Sequence, residues 1–348
     1  MPPIDPASLV RLAERLNRPL AVGGRTVANR LWLAPMAGLG HVAFREVLDG
    51  YGGCGLLFTE MCGARALPTE NPRVSMVFRW REAELPRLVC QIAGSAPADM
   101  ARAARRVEDE GFFGVDINMG CSVPGIVKKG AGAALLRDPE AALAVVAAVR
   151  AEVAIPLFVK FRTGWTPDVG PAVALARRFE EAGVDCLVFH PRVAPDRRTR
   201  PSVRDHIRAV AEAVSIPVMG NGDVILPGDC LDMLDQTGCA GVSVGRMAMA
   251  RPWLFAEWTR GHEPGPTAYL DYALAMADAL SRHFEPIPAL KRFKRFTVYY
   301  AANFSYGHGL QSRFLACRSM DQVRAVALAH VEPGLQLVGR PNMNLYNT

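Results

Sequence analysis

The sequence predicts an α/β fold, a (β/α)8 TIM barrel followed by a small C-terminal helical domain. Two observations support this prediction. Short apolar or β-branched runs recur eight times, at intervals of roughly 25–30 residues. Between them lie stretches with the apolar spacing of helices, which often open with Asp or Pro, residues that favour helix starts. Eight such even units are typical of the barrel and rare in a doubly wound open sheet, the alternative architecture.

Each repeat of the pattern supplies one predicted strand. The eight predicted strands lie at 31–36, 55–61, 87–93, 114–119, 156–162, 186–191, 217–222 and 241–246. The predicted helices between them include 97–110, 138–152 and 171–182. Upstream, residues 19–30 place Gly23-Gly24 between two short apolar runs, which predicts a hairpin that caps the floor of the barrel.

Composition indicates where the two domains meet. The barrel, with an N-terminal helix and the hairpin cap, is predicted over 1–258. The Pro- and Gly-rich stretch 259–267 is predicted to be a linker. The second domain, 268–348, has helical periodicity over 268–284, 289–304 and 320–330.

Positive charge is concentrated in this second domain. From Glu285 onward there are eight Lys or Arg and three acids, which accounts for +5 of the net charge of +6. Phe293 and Phe296 share one face of a predicted helix and are predicted to be core, with basic residues around the outside. A basic terminal segment is typical of a nucleic-acid partner, although a surface that only maintains solubility has the same composition.

Composition also limits the function classes. No run approaches the ~18 apolar residues of a membrane span. The N-terminal residues lack the apolar core of a signal peptide, so we expect a cytoplasmic protein with no membrane contact. The eight cysteines form no C-x-x-C pair, which argues against a metal site or a disulfide framework and suits a reducing compartment.

The segment 114–136 carries the strongest functional signal. A short β-type run leads into Asn118 and Cys121, and a loop with Lys128, Lys129 and three glycines follows. This places an amide and a thiol just past the carboxyl end of a strand, where barrels bind ligands. A thiol beside a basic loop is a candidate acid or nucleophile, and a buried structural cysteine in a turn is the alternative.

Lys160 lies inside an otherwise apolar strand. Strand alternation places Phe158, Lys160 and Arg162 on one face, directed into the barrel mouth. A lone buried lysine needs a partner, because an unpaired buried charge is very costly. The partner is either an electron-rich ligand such as a flavin ring or a strand-end acid such as Glu60.

Further polar residues end the other predicted strands. Gln91 ends the third strand and His190 ends the sixth, so both are expected at the top of the barrel. Asn221-Gly222-Asp223 follows the seventh strand and Gly245-Arg246 follows the eighth. Glycines let backbone N–H groups approach oxygens closely and Arg246 adds a charged fork, so these two loops are predicted to bind a phosphate.

Together these motifs resemble those of the flavin-dependent tRNA-dihydrouridine synthases. The resemblance runs from about residue 28 to residue 256 and weakens in the terminal helices. The matching motifs are Pro35-Met36-Ala37-Gly38, Thr59-Glu60-Met61, Gln91, the segment around Cys121, Lys160, Arg162-Thr163-Gly164-Trp165, His190, Asn221-Gly222-Asp223 and Gly245-Arg246.

The resemblance implies a mechanism and a set of roles. FMN would sit on the barrel top, NADPH would reduce it, and reduced flavin would deliver hydride to C6 of a uracil in tRNA. Cys121 would then protonate C5, and a thiol with a pKa near ~8.5 carries that proton at neutral pH. The implied flavin contacts are Pro35, Met36, Gln91, Lys160 and His190. The implied contacts to the ribityl phosphate are Asn221, Gly222, Asp223, Gly245 and Arg246.

On the substrate side, the resemblance implies that Asn118 holds the uracil edge and that Arg162 and Arg192 lie near the substrate. The chain departs from the family pattern on this side. Ser122 stands where the family has proline, and Gly40-His41 replaces Thr-Asp. The loop 192–204 carries five arginines, which fit either RNA phosphates or a solvated, salt-bridged surface.

Three functional hypotheses follow. The leading one is reduction of uridine in tRNA by a monomeric enzyme without a metal. The second keeps the FMN barrel but changes the substrate to another RNA, such as ribosomal RNA, or to a small enone or pyrimidine, as in ene-reductases and dihydroorotate dehydrogenases. The third is an RNA-binding protein without catalysis, against which the intact Cys121, Lys160 and His190 argue.

Overall fold

The N-terminal segment forms a helix and the predicted hairpin. The computed structural model describes residues 5–196, 200–331 and 335–343. Helix α1 (Pro6–Leu16) begins after Asp5, whose carboxylate accepts a hydrogen bond from the Ser8 N–H. Strands β1 (Leu20–Val22) and β2 (Arg25–Val27) are antiparallel and joined by Gly23 and Gly24. Both glycines have positive φ, +54° and +77°, as a tight hairpin turn requires.

Nine parallel strands follow in one sheet. They are β3 (Leu31–Leu33), β4 (Leu57–Phe58), β5 (Cys62–Gly63), β6 (Leu88–Ala93), β7 (Gly114–Met119), β8 (Leu157–Gly164), β9 (Cys186–Val193), β10 (Val218–Asn221) and β11 (Gly241–Val244). Their order is β3-β11-β10-β9-β8-β7-β6-β4, with β5 paired to the far end of β6. Hydrogen bonds from Gly55 N to Leu31 O (2.9 Å) and from Leu33 N to Leu56 O (3.0 Å) close the ring. The predicted barrel is therefore confirmed.

Helices surround the barrel. They are α2 (Val42–Tyr51), α3 (Pro97–Asp109), α4 (Pro124–Val127), α5 (Pro139–Glu152), α6 (Gly170–Glu181), α7 (Arg204–Ala213), α8 (Pro227–Thr237), α9 (Arg246–Ala250) and α10 (Leu254–Arg260). Helix α3 illustrates the packing, because Met100, Ala103, Ala104 and Val107 form its buried stripe. Helix α5 begins after Asp138, whose carboxylate accepts from the Ala141 N–H at 3.1 Å. The predicted helices 97–110, 138–152 and 171–182 are confirmed to within a residue at each end.

An apolar core seals the barrel floor. Trp32 on β3 contacts Phe58 and Phe158, with ring centroids 6.4 and 6.0 Å away. The hairpin residues Leu20, Val22 and Val27 belong to this same buried cluster, so the hairpin caps the floor as predicted. The floor of the barrel is therefore filled by apolar side chains.

Four helices complete the fold. They are α11 (Ala268–His283), α12 (Pro286–Ala301), α13 (Gly307–Ala316) and α14 (Met320–His330). Helix α11 packs on α2 of the barrel, and Phe293 and Phe296 of α12 are buried as predicted. Helix α12 begins three residues earlier than predicted, because Pro286 suits the first turn of a helix. The sequence did not predict α13. No helix among the described residues has the length and apolar character to span a membrane.

Candidate active site

A cleft of about 1010 Å³ opens at the carboxyl ends of the barrel strands. The predicted site residues that line it are Pro35, Met36, Lys160, Arg162, His190, Arg192, Asn221, Gly222, Asp223, Gly245 and Arg246. These predicted residues come from five different barrel strands or the loops after them, and they meet in one cavity. Gln91, Asn118 and Cys121 are not among the lining residues and lie beside the cavity, on β6 and β7 and in the loop after β7.

A chain of hydrogen bonds links the ends of β6 and β7. Gln91 Nε2 donates to Asp116 Oδ2 at 2.7 Å, and Asn118 Nδ2 donates to Gln91 Oε1 at 2.8 Å. All three side chains are buried. The Gln91 amide is therefore held at both ends.

Lys160 is aligned with Asn118 in the β7–β8 ladder, and Asp116 is aligned with Phe158. The Lys160 and Asp116 charges lie close enough to interact. Burial raises the pKa of Asp116 above its usual value and lowers that of Lys160, and the attraction between the two groups opposes both shifts. Asp116 Oδ1 is buried without a hydrogen-bond partner among the described residues.

The expectation of Glu60 as the strand-end acid for Lys160 is wrong. The Glu60 carboxylate accepts a hydrogen bond from the Gly38 N–H, and the nearby cations are Arg292, Arg45 and Arg295. Asp116 was missed as the partner, although it has the same inward parity on its strand as Asn118.

The loop after β7 holds Cys121 in a fixed position. Asn118 Oδ1 accepts hydrogen bonds from Gly120 N (3.2 Å) and Cys121 N (3.0 Å), an Asx turn. Ala133 N donates to Cys121 O at 2.8 Å. Gly132 has φ of +63°, and a Cβ there would lie 2.5 Å from Cys121 O, so only glycine permits this approach.

Cys121 is half-buried, whereas the other seven cysteines are buried. Its charge, when ionised, acts on both Lys160 and Arg162, so the thiol lies near both cations. It is therefore the accessible thiol of the barrel mouth.

The loop after β10 adopts a strained backbone. Gly222 has φ of +120° and Asp223 has φ of +51°, a region that residues with a side chain rarely occupy. A Cβ on Gly222 would lie 2.9 Å from His190 Cδ2. Asn221 Nδ2 donates to Ser243 O at 2.7 Å, which ties β10 to β11. Gly222 therefore presents backbone to the cleft, which Asn221 and Asp223 also line.

Asp223 orients two arginines. Its carboxylate accepts from Arg192 Nη2 at 2.7 Å, from Arg246 Nη2 at 3.4 Å and from Ser202 N at 2.9 Å. Burial opposes ionisation, but the Ser202 hydrogen bond and the two guanidinium groups hold the pKa of Asp223 below its usual value. Arg192, predicted near the substrate, is only 3% exposed. This ion-pair network did not follow from the sequence.

The cleft is electropositive. Burial, together with Lys160, Arg162, Arg192 and Arg246, lowers the pKa of His190 well below its usual value. The imidazole is therefore neutral at physiological pH. Burial and the adjacent Arg192 lower the pKa of Arg162 to about 10, so this guanidinium stays charged.

Two departures from the family pattern have structural explanations. Ser122 Oγ accepts a hydrogen bond from Arg162 Nη1 at 3.3 Å. His41 is the N-cap of α2, where its Nδ1 accepts from Phe44 N at 3.2 Å. Burial lowers the pKa of His41 well below its usual value, which preserves the neutral ring that this acceptor role requires.

The arginine-rich loop is only partly described, since residues 197–199 lie outside the described part. Arg200 pairs with Asp196 at 3.6 Å. Arg204 pairs with Asp232 at 3.7 Å and donates to Gln236 Oε1 at 3.0 Å. For these two arginines the structure favours the salt-bridged interpretation.

Two further residues line the cleft beside the Cys121 loop. The Arg137 guanidinium lies over the Trp165 ring, with Cζ 3.4 Å from the ring centroid. Trp165 Nε1 donates to Ala133 O at 2.8 Å, which fixes the indole. Arg137 was not singled out in the sequence, because it is 16 residues beyond Cys121 and carries no motif of its own.

A thiol, a lysine, a neutral imidazole and a glycine-lined loop at the carboxyl face define a ligand-binding (β/α)8-barrel enzyme. Among the described residues, no group of three His, Cys, Asp or Glu is arranged to hold a metal ion. The family model described as Dihydrouridine synthase (Dus) matches residues 32–329. The chain belongs to the dihydrouridine synthase family, as the sequence motifs predicted.

Comparisons with individual proteins agree. The chain is 38% identical over 238 residues to tRNA-dihydrouridine synthase B of Pseudomonas aeruginosa, which covers 68% of this chain and 70% of that protein. It is 33% identical over 302 residues to tRNA-dihydrouridine synthase B of Pseudomonas putida, covering 85% and 89% of the two chains.

A solved structure of histamine dehydrogenase from Rhizobium sp. 4-9 matches with a TM-score of 0.56 and 13% identity, over 81% of this chain. This chain spans about half the length of that protein, 51%, and the likeness concerns the fold alone.

Proposed function

We propose that this enzyme reduces uridine in tRNA to 5,6-dihydrouridine, with FMN in the barrel cleft and NADPH as the reductant. The observation that carries the proposal is the meeting, in one cleft, of Lys160, His190, the Gly222 loop and the adjacent Cys121. Family membership and the names of the relatives support the reaction and the substrate.

The residues present fit FMN. Gly222 and Gly245 expose backbone to the cleft, and Arg246, oriented by Asp223, adds a charged donor for a phosphate. Ser243 Oγ is buried with no hydrogen-bond partner among the residues described, so it is available as a further donor. We assign the ribityl phosphate to this group, together with Asn221.

The opposite part of the cleft suits the flavin ring. Pro35 and Met36 supply apolar contacts, while Lys160 and neutral His190 supply polar ones. Gln91 supports this part through its hydrogen bonds to Asp116 and Asn118. Lys160 is also suited to stabilise negative charge on a reduced ring.

Cys121 completes the chemistry as the general acid. The chemistry that a bound, reduced flavin would supply is a hydride for C6 of the uracil. Proton transfer from the Cys121 thiol to C5 then completes the saturated ring. Lys160 and Arg162 stabilise the thiolate that remains, and solvent returns its proton.

Asn118 and the arginines position this acid. The Asn118 carbonyl holds the backbone of Cys121, and the second hydrogen of its Nδ2 is available to a uracil oxygen. Arg162 is held beside Cys121 by its bond to Ser122. We assign Arg192 an indirect role, through its pair with Asp223.

The helices of 268–348 are proposed to form the RNA-recognition domain beside a barrel domain over 1–258. Lys291 and Arg295 are exposed on α12, while Phe293 between them and Phe296 after them are buried. We further propose that the enzyme acts as a monomer in the cytoplasm, a compartment that suits its eight free cysteines.

The test is reconstitution with FMN, NADPH and unmodified tRNA transcripts, with dihydrouridine detected by mass spectrometry. We expect dihydrouridine at a defined tRNA position, and slower turnover with NADH. Parallel reactions contain ribosomal RNA or uridine monophosphate. Faster turnover of either would contradict tRNA as the substrate, and flavin-loaded protein that forms no dihydrouridine in any RNA would contradict the reaction.

A further inference from the structure

The wall of the cleft beside Cys121 contains a stacked pair that the proposed chemistry does not use. At 3.4 Å between Arg137 Cζ and the Trp165 centroid, the guanidinium plane must lie flat on the indole. The indole is half-buried and anchored to Ala133 O, while Arg137 is exposed. One face of the guanidinium thus covers the ring and the other faces outward.

The basic side chains around this pair have no acidic partner among the described residues. Lys128, Lys129 and Arg137 have no carboxylate within 4.0 Å in the part of the chain that the structure describes. Some arginines elsewhere on the barrel do, as in the pairs Arg105–Asp109 and Arg178–Glu140. Lys128 and Arg137, which both line the cleft without a carboxylate partner, indicate a site for an anion.

The position of this rim separates it from the phosphate site assigned to FMN. Strand β7, which precedes the Cys121 loop, is four strands from β11 in both directions around the barrel. Arg137 and Lys128 follow β7, and Gly245 follows β11. The cleft therefore has two basic ends on opposite sides of the barrel, and the FMN phosphate is assigned to only one of them.

We propose that Arg137, Trp165 and Lys128 form a subsite for the nucleotide adjacent to the target uridine in the RNA. The flanking base stacks on the outward face of the Arg137 guanidinium, and its phosphate pairs with Lys128. Unpaired RNA bases are commonly held on aromatic or guanidinium planes. When the target uridine reaches Cys121, the adjacent nucleotide of the RNA lies at this rim, because the two nucleotides are covalently linked.

The subsite rests on the proposed function and explains how one uridine is presented. Preorganisation is its physical advantage, since Trp165 fixes the guanidinium before RNA arrives and little side-chain entropy is lost on binding. The phosphate group of the reductant is the competing ligand for the same cations, and the experiment separates the two.

The experiment compares Arg137→Ala, Arg137→Lys and Trp165→Phe with Arg177→Ala, an exposed helix arginine outside the cleft. All carry FMN, and RNA affinity is measured by fluorescence anisotropy with a labelled tRNA transcript over a range of salt. Arg137→Ala should weaken RNA binding about tenfold, within the range for losing one base stack, and Arg177→Ala should leave it unchanged.

Charge and stacking are separated by the other variants. Arg137→Lys should bind RNA with the salt dependence of the wild type, because the positive charge is kept. Its affinity should be lower, because the flat guanidinium face is lost. Trp165→Phe should retain most of the affinity, since an aromatic face remains.

Equal RNA affinity for Arg137→Ala and Arg177→Ala would overturn the subsite. So would a rise in the NADPH concentration needed for flavin reduction without any loss of RNA affinity, which would assign the rim to the reductant. Flavin reduction by NADPH is followed in every variant. If the wild type is reduced yet makes no dihydrouridine, the proposed function fails independently of the subsite.

Discussion

The same strands build the floor and the mouth of the barrel, but the inward-facing side chains of these two layers differ. On four of the strands, an apolar floor residue is followed two positions later by a polar mouth residue. The pairs are Val89 and Gln91, Phe158 and Lys160, Val188 and His190, and Met219 and Asn221. The floor is a closed aromatic and aliphatic cluster, whereas the mouth gathers cations around a cleft.

This difference indicates what each layer contributes. Burying apolar side chains stabilises the fold, while burying Lys160, Asp116 and Arg162 costs free energy that an apolar layer would avoid. A mouth of this composition is therefore explained by binding and chemistry, not by stability. Substitutions at the floor should therefore mainly reduce folding stability, and substitutions at the mouth should mainly reduce binding or catalysis.

The largest expected effect is on catalysis at the mouth. Cys121→Ala should slow dihydrouridine formation by about 10²–10⁴-fold, the usual contribution of a general acid. Folding stability and FMN affinity should be unchanged, because the thiol is half-buried and its loop is held by backbone hydrogen bonds. Single-turnover assays measure the rate, and Cys317→Ala in the terminal helices is the control. Turnover at the wild-type rate would remove Cys121 from the mechanism.

The largest expected effect on stability is at the floor. Phe158→Ala should reduce the free energy of unfolding by about 3–5 kcal/mol, because Phe158 is fully buried against Trp32 and Phe58. Urea denaturation measures this change. The milder Phe158→Leu should lose less, and the remaining folded protein should bind FMN normally. Weaker FMN binding by folded Phe158→Leu would contradict the claim that the floor supports stability and the mouth supports binding.

A smaller effect is expected at the glycine loop. Gly222→Ala combines a strained φ of +120° with a methyl group 2.9 Å from the His190 ring. Overpacking of this kind costs about 1–3 kcal/mol of folding stability, and FMN affinity should fall because the backbone that is assigned to the phosphate must shift. Gly228→Ala, at a helical position with open space around it, is the matched control. Equal FMN affinity in the two variants would contradict the assigned phosphate site.

The smallest effect concerns pH. The pKa of folded His190 is depressed, so below about pH 6.5 the unfolded chain binds a proton that the folded chain does not. Stability is therefore lost as pH falls through that range, by up to ~1.4 kcal/mol per pH unit for one such group. His190→Gln should show a shallower slope in urea denaturation between about pH 6.5 and pH 5. An unchanged slope would mean that His190 is protonated in the folded protein.

The sequence predicted the barrel because its strands are short, evenly spaced and separated by well-capped helices, as at Asp138. It also predicted which residues share the mouth, since strand parity fixes the inward face of Lys160 and Arg162. Helix α13 was missed because Gly307 and Gly309 weaken its local helix propensity, and its burial against α12 compensates.

Contacts between distant loops could not be predicted from the sequence. Asp223 was assigned to a phosphate cradle, but its partners Arg192 and Arg246 come from two other strand ends. The pairing of Arg137 with Trp165 depends on how two loops fold over each other. Such pairings depend on side-chain geometry, which periodicity and spacing do not encode.

The most direct test of the account is calorimetric titration of flavin-free protein with FMN. If the polar layer at the mouth is built for one flavin, binding saturates at one FMN per chain and the complex shows flavin absorbance. A protein that folds normally, with its apolar floor intact, but takes up no FMN would contradict the account.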